Sequence, residues 1–265
     1  MDLMDINDYY LRKDEKPLDR IVNNGGFCGI FRTICCIGDS LSSGEFETIA
    51  PDGKHSYYDI YEQSWGQYIA RMTGSTVYNF SKGGMTAKKY CSGFADENAF
   101  WSPMKAAQAY IIALGVNDMW EEGVKAGCID DTADDNTFAG FYGTIIQRLK
   151  RISPDAKLFF VTQPREESDS DYQIKNKEAQ RKILYGFAGK FTNSYVLDLY
   201  KYAPVYDKKF KENFFFNGHM NAAGYRLTAD IIASYIDYII RSSPEDFTAS
   251  GLIGAGIDFG VQSGN

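Results

Sequence analysis

Five short apolar runs divide this chain, and they constrain its fold more than any other feature. They predict strands at 33–37, 75–80, 109–114, 157–162 and 195–199. Runs that are almost continuously apolar are typical of parallel strands that are covered on both faces. The helical patterns between and after them are 64–72, 137–152, 176–191 and about 222–241. Alternating strands and helices predict the α/β class, as a three-layer α/β/α sandwich with right-handed connections.

The composition argues against several classes of protein. A formal net charge of −7, without a basic stripe, argues against a nucleic-acid partner. No apolar segment has the length of a signal peptide or of a membrane span, so we expect a cytoplasmic protein that does not cross a membrane. With 265 residues, the chain is large enough for one domain with a full core.

The cysteines are interpreted as free thiols. Their number is odd, and no two of them form a C-x-x-C pair. This pattern argues against a zinc site or a disulfide framework and fits a reducing compartment. The five cysteines are Cys28, Cys35, Cys36, Cys91 and Cys128.

Three segments lie outside the predicted sandwich. Residues 1–29 form a polar arm, residues 44–63 a Tyr- and acid-rich insertion, and residues 245–265 a Gly-rich tail. Apolar residues in the tail alternate with residues that are mostly Gly or Asp, which is the period of a strand. They are Ile253, Ala255, Ile257, Phe259 and Val261. We therefore expect 252–261 to pair, as a strand or an extended segment, with this subunit or another, which would support a homo-oligomer.

The turn Gly38-Asp39-Ser40-Leu41 directly follows the first predicted strand. A serine in a tight turn after a parallel strand lies at the carboxyl edge of the sheet, where open α/β folds bind ligands. Ser40 is therefore a candidate nucleophile. Serine and aspartate are also ordinary turn residues, so the alternative is a serine that only caps the next segment.

Three further segments follow this turn along the chain. They are Ser81-Lys82-Gly83-Gly84-Met85-Thr86, Gly115-Val116-Asn117-Asp118 and Gly218-His219-Met220-Asn221-Ala222-Ala223-Gly224-Tyr225. Together and in this order, the four segments resemble the SGNH, or GDSL, family of serine hydrolases. The resemblance covers about 31–242 and implies one hydrolase domain with a five-stranded parallel sheet in the flavodoxin-like order. It also implies a reaction that needs no metal and no cofactor.

The chain contains two histidines, so the base that serves Ser40 must be His55 or His219. His219 precedes the last predicted helix, in a loop on the same edge of the sheet as the serine turn. Its segment matches the catalytic-histidine block of the family, so the resemblance assigns the base to His219. His55 lies in the polar insertion and is interpreted as a surface residue.

The resemblance also implies an oxyanion hole. Gly84 matches the glycine of the second block, whose N–H donates, and Asn117 matches the asparagine of the third block, whose side-chain amide donates. The N–H of Ser40 is the third donor. Without the resemblance, Gly84 is an ordinary turn glycine and Asn117 is a helix N-cap.

Residues that follow these blocks are expected to border the substrate pocket. Met85 comes directly after Gly84, and Met119 and Trp120 come directly after Asp118. Apolar and aromatic walls suit sugars and acyl chains alike. The alternative is that these side chains belong to the core.

One position departs from the family pattern. The family usually places an aspartate three residues before the histidine, where it accepts the imidazole N–H, and here that residue is Phe216. Because backbone carbonyls of the same loop are near by covalent connection alone, we predict that a main-chain carbonyl just before His219 replaces the acid. The carboxylates that remain as alternatives are those of Asp198, Asp207 and Glu212.

The sequence thus predicts an esterase that releases a short acyl group from a small-molecule ester, on a sugar or another metabolite. One alternative is a non-catalytic, ligand-binding relative, which the missing aspartate favours. Another is a nucleotide- or flavin-binding flavodoxin-like module. That module is disfavoured because no G-x-G-x-x-G follows the first predicted strand.

Overall fold

The computed structural model describes residues 6–257. Its strands are β1 (Thr33–Gly38), β2 (Glu45–Ile49), β3 (His55–Asp59), β4 (Thr76–Asn79), β5 (Ala109–Ala113), β6 (Lys157–Val161), β7 (Ser194–Leu197), β8 (Phe215–Phe216) and β9 (His219–Met220). Its α-helices are α1 (Ser40–Ser43), α2 (Trp65–Thr73), α3 (Ala87–Lys89), α4 (Ala95–Glu97), α5 (Phe138–Ile152), α6 (Asp171–Lys190), α7 (Leu199–Tyr202), α8 (Lys208–Phe214) and α9 (Ala222–Ser242). Short 3₁₀ and π turns lie at Ile6–Tyr9, Gly26–Ile30, Tyr61–Gln63, Tyr90–Phe94, Pro103–Lys105, Asp118–Trp120, Ala133–Asp135, Pro244–Phe247 and Ser250–Leu252. No helix in this part of the chain has both the length and the apolar character needed to cross a bilayer.

Five strands form one parallel sheet in the order β4-β1-β5-β6-β7. When these strands are renumbered along the chain, the order is 2-1-3-4-5, which is flavodoxin-like. The predicted sheet is confirmed, and its strands differ from the prediction by one or two residues at their ends. After β1 the chain first adds β4 on one side and then β5 on the other. The carboxyl ends of β1 and β5 therefore flank the topological switch point, the crevice where such sheets bind ligands.

The two faces of the sheet bury different cores because side chains alternate along a strand. Cys36 faces the side of α2 and α9, whereas its neighbour Cys35 faces the side of α5 and α6. All five cysteines are free, as predicted. The predicted helices are also present, although α6 begins earlier than predicted because Ser170 and Gln173 form a capping box.

The acidic insertion forms an antiparallel hairpin, β2–β3, that the sequence interpretation did not foresee. Its register pairs Glu45 with Asp59, Glu47 with Tyr57 and Ile49 with His55. Gly44 joins the hairpin to α1 with a φ of +84°. An added Cβ at Gly44 would lie 2.6 Å from the Ile60 carbonyl oxygen, so both conformation and space require glycine.

The N-terminal segment packs against α9 rather than extending as a free arm. Arg241 of α9 binds Glu15 at 2.7 Å, and both side chains are buried. Arg241 also binds Asp237, whose carboxylate accepts the N–H of Phe27. Buried carboxylates on both sides of one guanidinium fix this segment to the helix.

The strand predicted for 252–261 is wrong over the described residues, and 258–261 lie outside them. Residues 250–252 form a 3₁₀ turn, and turns continue to Gly256. Gly254 and Gly256 have φ values of +72° and +70°, which turn the chain and prevent a strand. The guanidinium of Arg32 donates to the Ile253 carbonyl at 3.2 Å, so this segment is held near the amino end of β1.

We expect Arg241→Met to lower the free energy of unfolding by about 3–5 kcal/mol, because it leaves the buried carboxylates of Glu15 and Asp237 without their cation. Chemical denaturation measures this change. Arg151→Met is the matched control, since Arg151 is exposed on α5. Equal stability of the two variants would show that the N-terminal segment is not anchored in this way.

Candidate active site

The turn of the candidate nucleophile Ser40 (Gly38–Leu41, the nucleophile turn) lies at the carboxyl end of β1. Ser40 is the first residue of α1, and Asp39 caps this short helix by accepting the Leu41 N–H at 3.0 Å. The turn is tied to the next loop, because the N–H of Lys82 donates to the Gly38 carbonyl at 3.3 Å. Ser40 therefore lies where the sequence places it, beside the crevice between β1 and β5.

His219 lies in β9, in a two-stranded hairpin with β8 that ends just before α9. This hairpin packs against α1 and β2, so the imidazole lies beside the nucleophile turn and the acidic insertion. The predicted base and the predicted nucleophile are thus brought to the same edge of the sheet.

Two carboxylates from the insertion face the two ring nitrogens of His219. Nε2 lies 3.0 Å from Oε1 of Glu45, and Nδ1 lies 3.5 Å from Oε2 of Glu47. Glu45 and Glu47 are two residues apart on β2, so they share one face of the hairpin. Burial lowers the pKa of His219, but the hydrogen bonds and charges of Glu45 and Glu47 outweigh it, so the net pKa is raised.

The predicted main-chain partner of His219 is not found. Nδ1 has no hydrogen-bond partner of good geometry among the described residues, carbonyls included. The three alternative acids are engaged elsewhere: Asp198 binds Arg181 at 2.6 Å, Asp207 caps α8, and Glu212 is exposed beside Lys208. The sequence interpretation therefore missed the carboxylates that face the base.

Glu47 is the point where the two hairpins meet. Its Oε2 accepts the Gly218 N–H at 2.6 Å, and its carbonyl accepts the Asn217 side-chain amide at 2.9 Å. Its Oε1 is bound by Nδ1 of His55, so His55 is a surface residue, as expected, that also contacts the site. The hydrogen bond from His55 lowers the pKa of Glu47; burial opposes this, and Gly218 and His219 add to the lowering.

The candidate oxyanion donors follow the strands on either side of β1. Gly84 comes after β4 with a φ of +70°, and an added Cβ there would meet no atom within 4 Å. Among residues 6–257, no protein acceptor takes the N–H of Gly84 or of Ser40. Asn117 follows β5, and its amide donates one hydrogen to the Met85 carbonyl at 3.1 Å. Its second amide hydrogen is donated to no acceptor among the described residues.

The three predicted pocket residues differ in accessibility. Met85 and Met119 are 5% and 7% exposed, so they offer a substrate little surface. Trp120 is 61% exposed, and its ring centroid lies 5.6 Å from that of Tyr172. The Tyr172 hydroxyl donates to the Met119 carbonyl at 2.7 Å, which fixes the aromatic pair beside the Asn117 loop.

A cavity of ≈ 60 Å³ lies beside the nucleophile turn. Its lining includes Leu41, Val116 and Met220, which are the chain neighbours of Ser40, Asn117 and His219. Pro164 and Tyr206 close another side. By volume, the cavity holds about four to six water-sized groups.

Two buried carboxyl groups support the floor of the site. Asp39 accepts the Leu41 N–H at 3.0 Å, and Asp118 accepts the Ala87 N–H at 2.8 Å. The pKa of each is raised to about 7, mainly by burial, and the charge of Asp39 contributes to the increase for Asp118. In each of them Oδ2 has no partner among the described residues. Across residues 6–257, no group of three or more His, Cys, Asp or Glu side chains is arranged to hold a metal ion.

The comparisons with known proteins agree with this architecture. The model of the GDSL-like lipase/acylhydrolase family matches residues 36–227, well over half of the chain. No curated protein sequence matches the chain.

Several solved carbohydrate esterases share the fold. A family two carbohydrate esterase from Clostridium thermocellum, in complex with cellohexaose, aligns with a TM-score of 0.54 and 15% identity, over 81% of this chain and 65% of that one. A carbohydrate esterase family 2 enzyme from Corynascus thermopiles aligns with a TM-score of 0.55 and 16% identity, over 79% of this chain and 66% of that one. A family 3 carbohydrate esterase from Clostridium thermocellum aligns with a TM-score of 0.52 and 14% identity, over 79% of this chain and 97% of that one. This chain thus spans less than two thirds of both family two enzymes, and at such identities the likeness shows the fold alone.

We expect Asp118→Asn to reduce the loss of stability as the pH rises from about 4 to about 7. The raised pKa means that Asp118 holds its proton more tightly in the folded state, so its contribution to stability is full below about pH 4 and is lost as the pH rises through about 7. Asparagine keeps an acceptor for Ala87 but carries no titrating proton. Melting temperatures across this range measure the effect, with Asp134→Asn on the surface as the control. Parallel pH curves for wild type and Asp118→Asn would contradict it.

Proposed function

Because the chain belongs to the GDSL-like lipase/acylhydrolase family, we propose that it is a serine esterase in which Ser40 is the nucleophile and His219 is the general base. The observation that carries the proposal is the convergence of four groups on one edge of the sheet. Ser40, Gly84 and Asn117 follow the neighbouring strands β1, β4 and β5, and His219 reaches them from β9. The carboxylates beside His219 remove the reason for favouring a non-catalytic relative.

The proposed reaction is acyl transfer through Ser40. Its Oγ attacks the ester carbonyl while Nε2 of His219 takes the proton, so the contact of Nε2 with Glu45 must open at this step. The oxyanion accepts hydrogen bonds from the N–H groups of Ser40 and Gly84 and from the Asn117 amide. The alcohol then leaves with the proton from the imidazolium. Water attacks the acyl-enzyme in the same way, which releases the acid and restores Ser40.

We propose a short acyl group because the cavity beside the turn is small. Its ≈ 60 Å³ suits chains of about two to four carbons. Leu41, Val116 and Met220, the chain neighbours of three site residues, line it, which supports its use as the acyl pocket.

We propose an acylated sugar as the substrate class because exposed aromatic faces lie beside the oxyanion donors. Trp120 and Tyr172 form an open pair next to the Asn117 loop, and such rings suit a sugar face. The solved family two esterase from Clostridium thermocellum holds cellohexaose, which supports the same class here.

Ser40→Ala is expected to lower kcat/KM for p-nitrophenyl acetate by at least about 10³-fold and to abolish labelling by a fluorophosphonate probe. His219→Ala should cost a similar factor, and the double variant little more, because nucleophile and base act as a unit. Ser92→Ala, at an exposed serine, is the matched control. Labelling that persists at another serine would overturn the assignment of Ser40.

Trp120→Ala is expected to lower kcat/KM for acetylated oligosaccharides about two- to tenfold more than kcat/KM for p-nitrophenyl acetate. The small ester does not reach the aromatic pair, whereas a sugar chain does. Tyr10→Ala removes an equally exposed ring far along the chain and serves as the control. Equal losses on both substrates would argue against a sugar-binding face at Trp120.

A further inference from the structure

The base of a serine esterase needs an acceptor for its second ring nitrogen. Nε2 must be unprotonated to take the serine proton, so the imidazole carries its own proton on Nδ1. A fixed acceptor at Nδ1 selects this tautomer and stabilises the imidazolium that forms. The residue opposite His219 in the β8–β9 hairpin is Phe216, whose ring cannot serve as that acceptor.

We propose that Glu47, on the inserted β2–β3 hairpin, is the positioning residue that accepts the Nδ1 proton of His219. The inference rests on the proposed function and deepens it, because it names the acid that completes the Ser40–His219 pair. Oε2 of Glu47 lies 3.5 Å from Nδ1. This is long for a hydrogen bond, but contacts of a catalytic base in a free enzyme are often long and tighten when the base is protonated.

The surroundings of Glu47 hold its carboxylate in place. The Gly218 N–H donates to Oε2 at 2.6 Å, and His55 contacts Oε1 from the outer side. The side chain is 7% exposed, so few other positions are open to it. An added Cβ at Gly218 would overlap this carboxylate, which explains glycine next to the base.

Glu45 has a different role because it faces the other nitrogen. Its Oε1 lies 3.0 Å from Nε2, the nitrogen that must reach Ser40, so it cannot orient the base during the reaction. Its carboxylate also occupies the space beside Gly83 that a Cβ would fill. The contribution of Glu45 is electrostatic: it helps to raise the pKa of His219.

The two glutamates therefore predict different pH–rate profiles. The titratable groups that face His219 are Glu45, Glu47, Tyr57 and Asp39. His219 acts as a base only above its pKa, so its raised pKa moves the acid limb of kcat/KM to higher pH. Removing either carboxylate lowers that pKa and moves the limb to lower pH, but only the loss of Glu47 also misplaces the ring.

The experiment measures kcat and the pH dependence of kcat/KM on p-nitrophenyl acetate for Glu47→Gln, Glu47→Asp and Glu45→Gln. Glu47→Gln keeps the shape but not the charge, and we expect kcat at the pH plateau to fall about 10²–10⁴-fold. Glu47→Asp keeps the charge on a shorter side chain and should lose less than Glu47→Gln. Glu45→Gln should move the acid limb to lower pH and lose less than about tenfold in kcat. Glu62→Gln, on an exposed carboxylate after the hairpin, should match wild type.

The outcomes separate this inference from the proposed function. Wild type that neither hydrolyses esters nor reacts with a fluorophosphonate at Ser40 would overturn the proposed function itself. In an active wild type, a folded Glu47→Gln that keeps more than a tenth of kcat would overturn the role of Glu47 alone. A larger loss for Glu47→Asp than for Glu47→Gln would also overturn it, because shape rather than charge would then be the requirement. If Glu47→Gln does not fold, Glu47→Asp decides. A folded Glu47→Asp that loses part of kcat supports the role of Glu47, and one with wild-type kcat and the wild-type pH profile overturns it, because the shorter side chain moves the carboxylate away from Nδ1.

Discussion

The hydroxyl of Tyr225 joins the three parts of the chain on which the site depends. It lies near the start of α9, donates to the Glu45 carbonyl at 2.6 Å and lies 3.4 Å from the Ser40 carbonyl. The Tyr225 ring is fully buried and packs against Phe46. The helix that follows the base thus also fixes the nucleophile turn and the start of the acidic hairpin. A buried tyrosine needs a partner for its hydroxyl, so these elements are held together by the cost of leaving that group unpaired.

The sheet and the hairpins contribute different parts of the chemistry. The parallel order places the ends of β4, β1 and β5 side by side, which brings the three candidate oxyanion donors to one crevice. Both carboxylates within 4 Å of the His219 ring nitrogens, among the described residues, come from the inserted hairpin. Burying these charges beside an imidazole is tolerated because each has a nearby partner, and their field is what raises the pKa of His219.

The parts predicted correctly from the sequence are those with a local physical signature. Continuous apolar runs identify buried parallel strands. A serine turn that directly follows the first strand must lie at the carboxyl edge of the sheet. Glu45 and Glu47 lie in the insertion, for which the sequence analysis predicts no strand. Yet Glu-x-Glu and His-x-Tyr-x-Asp flank a Pro-Asp-Gly turn there with the period of a hairpin. No local pattern shows that this hairpin docks on the histidine. The strand predicted for the tail is wrong for the opposite reason. The sequence has the period of a strand, but glycines there adopt positive φ values.

Placing the acid on an insertion makes the geometry of the base depend on long-range packing. An acid three residues from the histidine is positioned by its own loop, whereas Glu47 and His219 meet only if two separate hairpins dock. An isolated two-stranded hairpin is marginally stable in water, so the β2–β3 hairpin needs its anchors. These are the Ser43–Asp59 contact, the Asn217–Glu47 hydrogen bond and the packing of Phe46 on Tyr225. Since a displacement of about 1 Å at a catalytic group costs on the order of 10²-fold in rate, these contacts, which do not touch the substrate, belong to the catalytic apparatus that we propose.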